Sequence, residues 1–160
     1  MDAPDPLLAL EHDHVHLSRL VGELRQMTAE LLRDDRRADL SEEIVATLSS
    51  LRDDLFEHFG REEEALFPFL TEQLPDLGPA IERLEGAHDR ICGGISRLLA
   101  LAATGDAGLR EHRALVAQLF SRFDAEYVEH ARHESEFLRS LGPRLSDEHR
   151  GHVRRVMDGV

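Results

Sequence analysis

Four long segments of the chain repeat apolar residues in alternating steps of three and four, and this spacing most constrains the possible folds. A period near 3.5 places the apolar side chains on one face of a helix and suits helices that pack side by side. No segment alternates apolar and polar residues as a half-buried strand does. The pattern therefore predicts an all-α fold, an up-down-up-down antiparallel four-helix bundle over about residues 7–141.

Local signals predict where the first two helices begin and change direction. Asp5 is a suitable N-cap for helix 1, with Pro6 at the first helical position. Ser41 is the predicted N-cap of helix 2, which should run toward Thr71. Pro68 lies inside that stretch, so we expect it to kink helix 2 or to end its regular part.

The second half of the chain follows the same rules. Helix 3 should follow the turn at Pro75 and run to about Ala103, where Gly105 stops it. Helix 4 is predicted from about Leu109 to Leu141. Ser146 is a suitable N-cap for a short C-terminal fifth helix, predicted over about residues 146–157. No linker divides the chain, so residues 1–160 are expected to form a single domain.

Charge and cysteine content narrow the expected partners and compartment. The formal net charge of −13 argues against binding nucleic acid or an anionic membrane surface. The single cysteine, Cys92, excludes an internal disulfide. No apolar run approaches the length of a membrane span, and the acidic start differs from a signal peptide. We therefore expect a cytoplasmic protein, a monomer or a homodimer.

A histidine or a glutamate interrupts the apolar stripes at six positions. Helices 1 and 3 each carry one histidine, whereas helices 2 and 4 each carry a histidine followed four residues later by a glutamate. An ionised side chain buried in a core without a partner costs several kcal/mol of stability, or its pKa shifts and the group becomes neutral. Metal ions would give all six groups a common partner. The predicted metal ligands are His14, His58, Glu62, His88, His130 and Glu134.

The six positions form a coarse internal repeat. His14 precedes His58 by 44 residues, and His88 precedes His130 by 42. Because successive helices of the bundle are antiparallel, similar distances from the connecting turns place all six in one layer. We expect His14 and His58 to be terminal ligands of one metal and His88 and His130 those of a second. The two glutamates are expected to bridge the metals.

Two stretches of the chain resemble a known family. His58–Pro68, which reads HFGREEEALFP, and Ala87–Ile91, which reads AHDRI, are similar to motifs of the hemerythrin-like, or HHE cation-binding, domain. Together with the six spaced residues, the resemblance covers about residues 7–141. It implies a non-haem di-iron centre with an oxo or hydroxo bridge and an open position for dioxygen, nitric oxide or peroxide. Manganese or zinc could occupy the same ligands.

The chain departs from the oxygen-carrying members of that family. Those proteins have a second helix 3 histidine one turn from the first, where this chain has Cys92 or Leu84. Helix 4 carries Ser135 where helix 2 carries Glu63. The chain is thus nearer to the four-histidine, two-glutamate branch, which resembles proteins of nitric-oxide stress and iron-centre repair. These departures weaken the case for simple oxygen transport.

Several functions therefore stay open at this point. The metal pair could bind or sense dioxygen or nitric oxide, break down peroxide as an enzyme does, or deliver iron for repair. In a further alternative, the metal only stabilises an interaction bundle. Without metal, the six residues would be hydrogen-bonded core histidines and buried histidine–glutamate pairs.

Neighbouring residues have less certain roles in the predicted site. His12 or His16 could replace His14, although surface positions suit both better. Tyr127 either donates a hydrogen bond near the metals or is a core aromatic residue with its hydroxyl satisfied.

Glu63 and Glu85 are predicted to be solvated helix residues, although either could complete a coordination shell. Cys92 could be a third ligand or a redox thiol, but a small buried hydrophobic residue is the better prediction.

Overall fold

A computed structural model describes residues 4–160, which are mostly helical and contain no strand. The elements are, in order, α1 (Pro6–Leu32), α2 (Leu40–Arg61), a π-helical segment (Glu62–Leu66), α3 (Phe67–Gln73), a 3-10 turn (Pro75–Leu77), α4 (Gly78–Ala102), α5 (Gly105–Glu111), α6 (Arg113–Leu141), a second 3-10 turn (Gly142–Arg144) and α7 (Asp147–Met157). The long helices α1, α2, α4 and α6 pack as a ring, with α6 contacting α1. The predicted all-α four-helix bundle is confirmed.

Both predicted caps at the ends of the chain are present. The Asp5 side chain accepts a hydrogen bond from the backbone N–H of Leu7 at 2.9 Å, and Pro6 begins α1. Ser146 caps α7, and its hydroxyl accepts a hydrogen bond from the backbone of His149. These ends match the sequence prediction because a cap is a local interaction that needs no distant partner.

Tertiary contacts overrule two other predicted starts. Ser41 is not the N-cap of α2, since that helix begins one residue earlier and the Ser41 hydroxyl bonds to Asp106. Helix 4 does not begin at Leu109, which lies in the short helix α5. Gly105 begins α5 with a φ of 83°, a left-handed conformation suited to glycine. The last long helix, α6, starts only at Arg113.

Arg110 gives a physical reason for the extra helix. Its side chain is buried and donates hydrogen bonds to the carboxylate of Asp106 and to the carbonyl oxygen of Asp35. A buried guanidinium requires such partners. Helix α5 supplies Asp106, four residues before Arg110, and the connection between α1 and α2 supplies the carbonyl of Asp35.

Pro68 disturbs helix 2 earlier than its own position. Proline lacks an N–H group and its ring clashes with the carbonyl four residues earlier. The chain accommodates it with the π-helical segment, in which the Phe67 N–H donates to the Glu62 carbonyl oxygen five residues back.

The inward stripe of His58, Glu62 and Ala65 continues by its spacing to Phe69, which is expected to point inward. The wider π-helical turn shifts the buried face, so that Phe69 is half-buried while Phe67 and Leu70 are buried.

The core consists of two apolar clusters, one on each side of the layer of histidines and glutamates. The larger includes Leu24 and Leu51, and the smaller includes Leu10 and Leu138, with Val153 of α7 packed into it. The polar layer therefore lies inside the bundle rather than at its end. None of the helices within residues 4–160 is both long and apolar enough to span a membrane.

Candidate metal centre

All six predicted residues meet in one buried layer. His14 is the most exposed of them at 8%, whereas both glutamates are fully buried. Helices α1 and α4 each contribute one histidine. The other four residues come from α2, the start of the π-helical segment and α6. The internal repeat in the sequence thus becomes two helix pairs that face each other across the layer.

The first group is His14, His58 and one oxygen of Glu134. The Nε2 atom of His14 lies 2.8 Å from Glu134 Oε1, and that of His58 lies 3.1 Å from the same oxygen. The two imidazole Nε2 atoms are 3.2 Å apart. Three ligand-type atoms from three helices therefore converge on one point.

The second group is His88, His130 and the other oxygen of Glu134. The Nε2 atom of His130 lies 2.6 Å from Glu134 Oε2. Within each group, one potential ligand atom per residue falls within 4.8 Å of the others. Glu134 belongs to both groups, with one oxygen toward each histidine pair.

Glu62 also spans the two histidine pairs. Its Oε2 atom lies 3.2 Å from His88 Nε2, and its Oε1 atom lies 3.7 Å from His58 Nε2. Glu62 falls outside the two tightest groups, but its two oxygens are divided between the pairs as those of Glu134 are. This arrangement suits two cations bridged by carboxylates.

Several of these buried atoms lie close to one another but make no well-directed hydrogen bond among residues 4–160. They are both oxygens of Glu62, Nε2 of His88, both ring nitrogens of His130 and Oε2 of Glu134. Buried polar atoms are nearly always paired, and an unpaired one costs free energy. Imidazole nitrogens and carboxylate oxygens are metal ligands. The unpaired atoms of this layer therefore fit bound cations.

Two groups of this layer, Glu62 and His88, hold charge poorly. Burial raises the pKa of Glu62 well above its ordinary range, and the charge of Glu134 raises it further. Burial, with repulsion by His130, lowers the pKa of His88 to about 3. Both shifts disfavour the charged form of the group. A nearby cation favours the ionised form of a carboxylate and so lowers its pKa again. An imidazole must be neutral to bind a metal, so the low pKa of His88 suits a ligand.

Two carboxylates orient histidines of the layer from outside. His58 donates from Nδ1 to Asp13 at 3.0 Å, and Arg61 donates to the same Asp13 oxygen at 3.1 Å. His88 donates from Nδ1 to Glu63 at 2.6 Å. Each bond fixes a ring and leaves its Nε2 atom facing the layer. Glu63 is exposed, as predicted for a solvated residue, and its carboxylate also accepts this bond from His88.

The other two histidines are held less firmly. His14 Nδ1 lies 3.3 Å from the Ser135 hydroxyl, whereas His130 Nδ1 has no partner in the described chain. Sequence reasoning missed Asp13 altogether. The available signal was its place directly before His14, one residue off the apolar stripe, where it can reach the neighbouring helix.

Phe59 is a further residue that the predicted stripes omitted. Its buried ring stacks on His88 with a centroid separation of 3.8 Å and meets the edge of His130 at 5.5 Å. The Phe59 ring gives the second group an apolar boundary and restricts rotation of the His88 ring. Its position next to His58 placed it off the predicted stripe.

The alternative ligands lie elsewhere. His16 bonds to Asp54 at the surface, and His12 is exposed, so neither replaces His14 in the layer. The Tyr127 hydroxyl pairs with Ser18 at 3.1 Å, as expected of a core aromatic residue. Cys92 is half-buried and packs against the larger apolar cluster.

Comparison with known proteins identifies the relevant family. A family model described as the hemerythrin HHE cation binding domain matches residues 5–138. That range is most of the 160-residue chain and contains all six residues of the layer. The match confirms the resemblance predicted from the sequence motifs. No curated protein matches the chain.

Proposed function

The chain belongs to the hemerythrin HHE cation-binding family, and on that premise we propose that it binds two iron ions. The six residues of the layer are the proposed ligands, and the iron pair would bind or react with dioxygen, nitric oxide or peroxide. The observation that most supports this proposal is that Glu134 directs one oxygen toward each of two histidine pairs. Such an arrangement suits two ions that share a carboxylate bridge.

The donor set supports iron among the possible metals. Imidazole suits iron, copper, nickel and zinc, whereas carboxylate oxygens also suit manganese. His58 and His88 donate a hydrogen bond outward from Nδ1, which leaves the Nε2 lone pair of a neutral ring free to bind a metal. When bound, an iron pair supplies a redox-active centre with positions open to a small exogenous molecule.

The surrounding side chains restrict what can reach the layer. Leu17, Leu55 and Ile91 are almost completely buried, and Phe59 covers the second group. An apolar shell of this kind limits water and strengthens electrostatic interactions inside the site. The shell suits a small uncharged molecule better than a large organic substrate.

The state of Cys92 supports leaving it out of the ligand set. Burial, with the charges of Glu63 and Asp89, raises the pKa of its thiol to about 11, so it is a neutral thiol at pH 7. A metal ion can displace that proton from a thiol within its reach. Cys92, however, packs against the larger apolar cluster and belongs to neither group of converging ligand atoms. The protein then provides the four histidines and two glutamates alone, and further coordination positions fall to exogenous molecules.

Anaerobic loading with ferrous iron, followed by metal counting and optical spectra, tests the proposal. We expect two irons per chain and a change in the near-ultraviolet spectrum on exposure to air, nitric oxide or peroxide. The double variant His58→Ala with His130→Ala should lose both the iron and the spectral change. The matched control is His16→Ala with His133→Ala, which removes two exposed histidines and should retain them.

The same samples separate the alternative functions. Sustained peroxide consumption would indicate an enzyme, whereas stoichiometric binding without turnover would indicate a binding or sensing module. Iron binding that raises the melting temperature without any reaction would indicate a structural role and contradict the reactive centre. Absence of stoichiometric iron in the unaltered chain would refute the proposal.

A further inference from the structure

A surface cleft between α4 and α6 reaches one histidine of the layer. It encloses about 640 Å³, and His130 forms part of its wall together with Ala87 and His133. His130 is only 4% exposed, yet its Nδ1 atom has no hydrogen-bond partner among residues 4–160, while its Nε2 atom faces Glu134 Oε2 at 2.6 Å. It is thus the one histidine of the layer that no neighbouring side chain holds in place through Nδ1.

The internal repeat explains why the cleft lies there. Asp13 directly precedes His14 and holds His58, whereas Ala87 directly precedes His88 and cannot hold His130 in the same way. The cavity beside His58, lined by Asp13 and Arg61, is only about 80 Å³. The Asp13–Arg61 ion pair therefore fills the space behind His58, whereas the equivalent space behind His130 is open.

The cleft carries net negative charge. Its lining includes the four glutamates Glu82, Glu126, Glu129 and Glu136 against the two arginines Arg83 and Arg90, and four minus two leaves a formal charge of −2 with histidine neutral. Arg90 is already paired with Glu126 at 3.1 Å. With −13 on the whole chain, this surface attracts cations and repels anions.

We propose that this cleft is the route by which divalent cations enter and leave the site. Glu126 and Glu129, one turn before His130 and beside it, would attract the cation. His130 would be the residue that turns to let it pass. The inference rests on the proposed function only in requiring that the buried layer binds metal.

A route has a kinetic signature that distinguishes it from a ligand. A barrier placed on the route slows entry and exit by the same factor and leaves the equilibrium affinity unchanged. Ala87→Leu places such a barrier beside His130 without adding charge. Should that variant not fold, Ala80→Leu narrows the same cleft at a half-exposed position.

Stopped-flow binding of Co²⁺ to the metal-free chain, and its removal by excess chelator, gives both rates. We expect Ala87→Leu to slow uptake and release equally, by about tenfold or more, with the dissociation constant unchanged. Ala46→Leu is the matched control, since Ala46 lines a different acidic cleft far along the bundle. It should leave both rates as they are.

Charge is tested separately. Glu126→Gln with Glu129→Gln should slow uptake about tenfold at low ionic strength, and the difference should disappear in high salt. The charge-matched control is Glu42→Gln with Glu72→Gln, two exposed glutamates outside the cleft. The total charge changes equally, so only position distinguishes the pairs.

Unchanged uptake and release in the cleft variants, with two cations still bound per chain, would overturn the route and leave the proposed function standing. The route is also overturned if these variants slow only the reaction of the iron-loaded protein with nitric oxide, because the cleft then admits the small ligand. Failure of the unaltered chain to bind Co²⁺ or iron stoichiometrically would instead contradict the proposed function.

Discussion

The two halves of the internal repeat place equivalent histidines in the layer but surround them differently. On the closed face, Asp13 and Arg61 fill the space behind His58. On the open face, Ala87 leaves a cleft of about 640 Å³ beside His130. The proposed ligands occupy equivalent positions in the two halves, whereas the residues around them differ. A symmetric set of ligands can therefore have one side that is filled and one that is accessible.

The largest expected effect removes the element that the two groups share. Glu134→Ala should abolish stoichiometric metal binding at both, weakening affinity by more than about 100-fold, because a lost ligand should cost more than the 10–100-fold of a lost outer partner. Metal counting after dialysis measures this. Glu136→Ala, at an exposed position two residues later, is the control. Retention of two tightly bound metals by Glu134→Ala would contradict a shared bridge.

Exchanging the outer carboxylates tests the comparison directly. Asp13→Ala should weaken metal binding by about 10–100-fold, because His58 loses the partner that fixes its ring. Ala87→Asp should have the opposite effect and strengthen binding, since it offers His130 the missing carboxylate. Competition with a coloured chelator measures both affinities. Equal effects of the same sign would show that the faces do not differ in this respect.

The two groups should also respond to pH in opposite directions when the protein is metal-free. Burial lowers the pKa of His58, but hydrogen bonds to Asp13 and Glu134 outweigh it and raise the pKa to about 9. A raised histidine pKa stabilises the fold fully below the unfolded value near 6.5, and this stability is lost as pH rises to about 9. For His88, with a pKa of about 3, stability is instead lost as pH falls below about 6.5.

Urea unfolding of metal-free protein from pH 5 to pH 9 measures the free energy of unfolding. Asp13→Asn should remove much of the decline above pH 6.5 and leave the acidic side unchanged. Its failure to alter the alkaline side would show that the Asp13 bond does not set the pKa of His58. Arg25→Gln, which breaks the exposed pair with Asp124, is a suitable control.

The smallest expected effect concerns the two residues that follow the glutamates of the repeat. Ser135→Ala should weaken metal affinity less than about threefold, since a hydroxyl at 3.3 Å from His14 forms a weak bond. Glu63→Ala should cost about tenfold or more, because a carboxylate accepts from His88 at 2.6 Å. Chelator competition compares them. A larger loss in Ser135→Ala would reverse the inferred order.

Most of the fold could be predicted from the sequence because its determinants are local or periodic. The cap at Asp5 and the apolar stripes of α1, α4 and α6 depend on spacing that any reader of the chain can count. The starts at Ser41 and Leu109 could not be predicted. They depend on the hydrogen bonds from Ser41 to Asp106 and from buried Arg110 to Asp35, which join residues 65 and 75 positions apart.

Within the candidate site, the sequence by itself determined which six polar residues share a layer, because helix periodicity and antiparallel packing fix both face and level. Only the tertiary structure decided how the layer is held. Asp13, Glu63 and Phe59 act across helices, and the contrast between a filled and an open face depends on distances between elements. Spacing along one helix carries no information about those distances, since they arise only when separate helices pack.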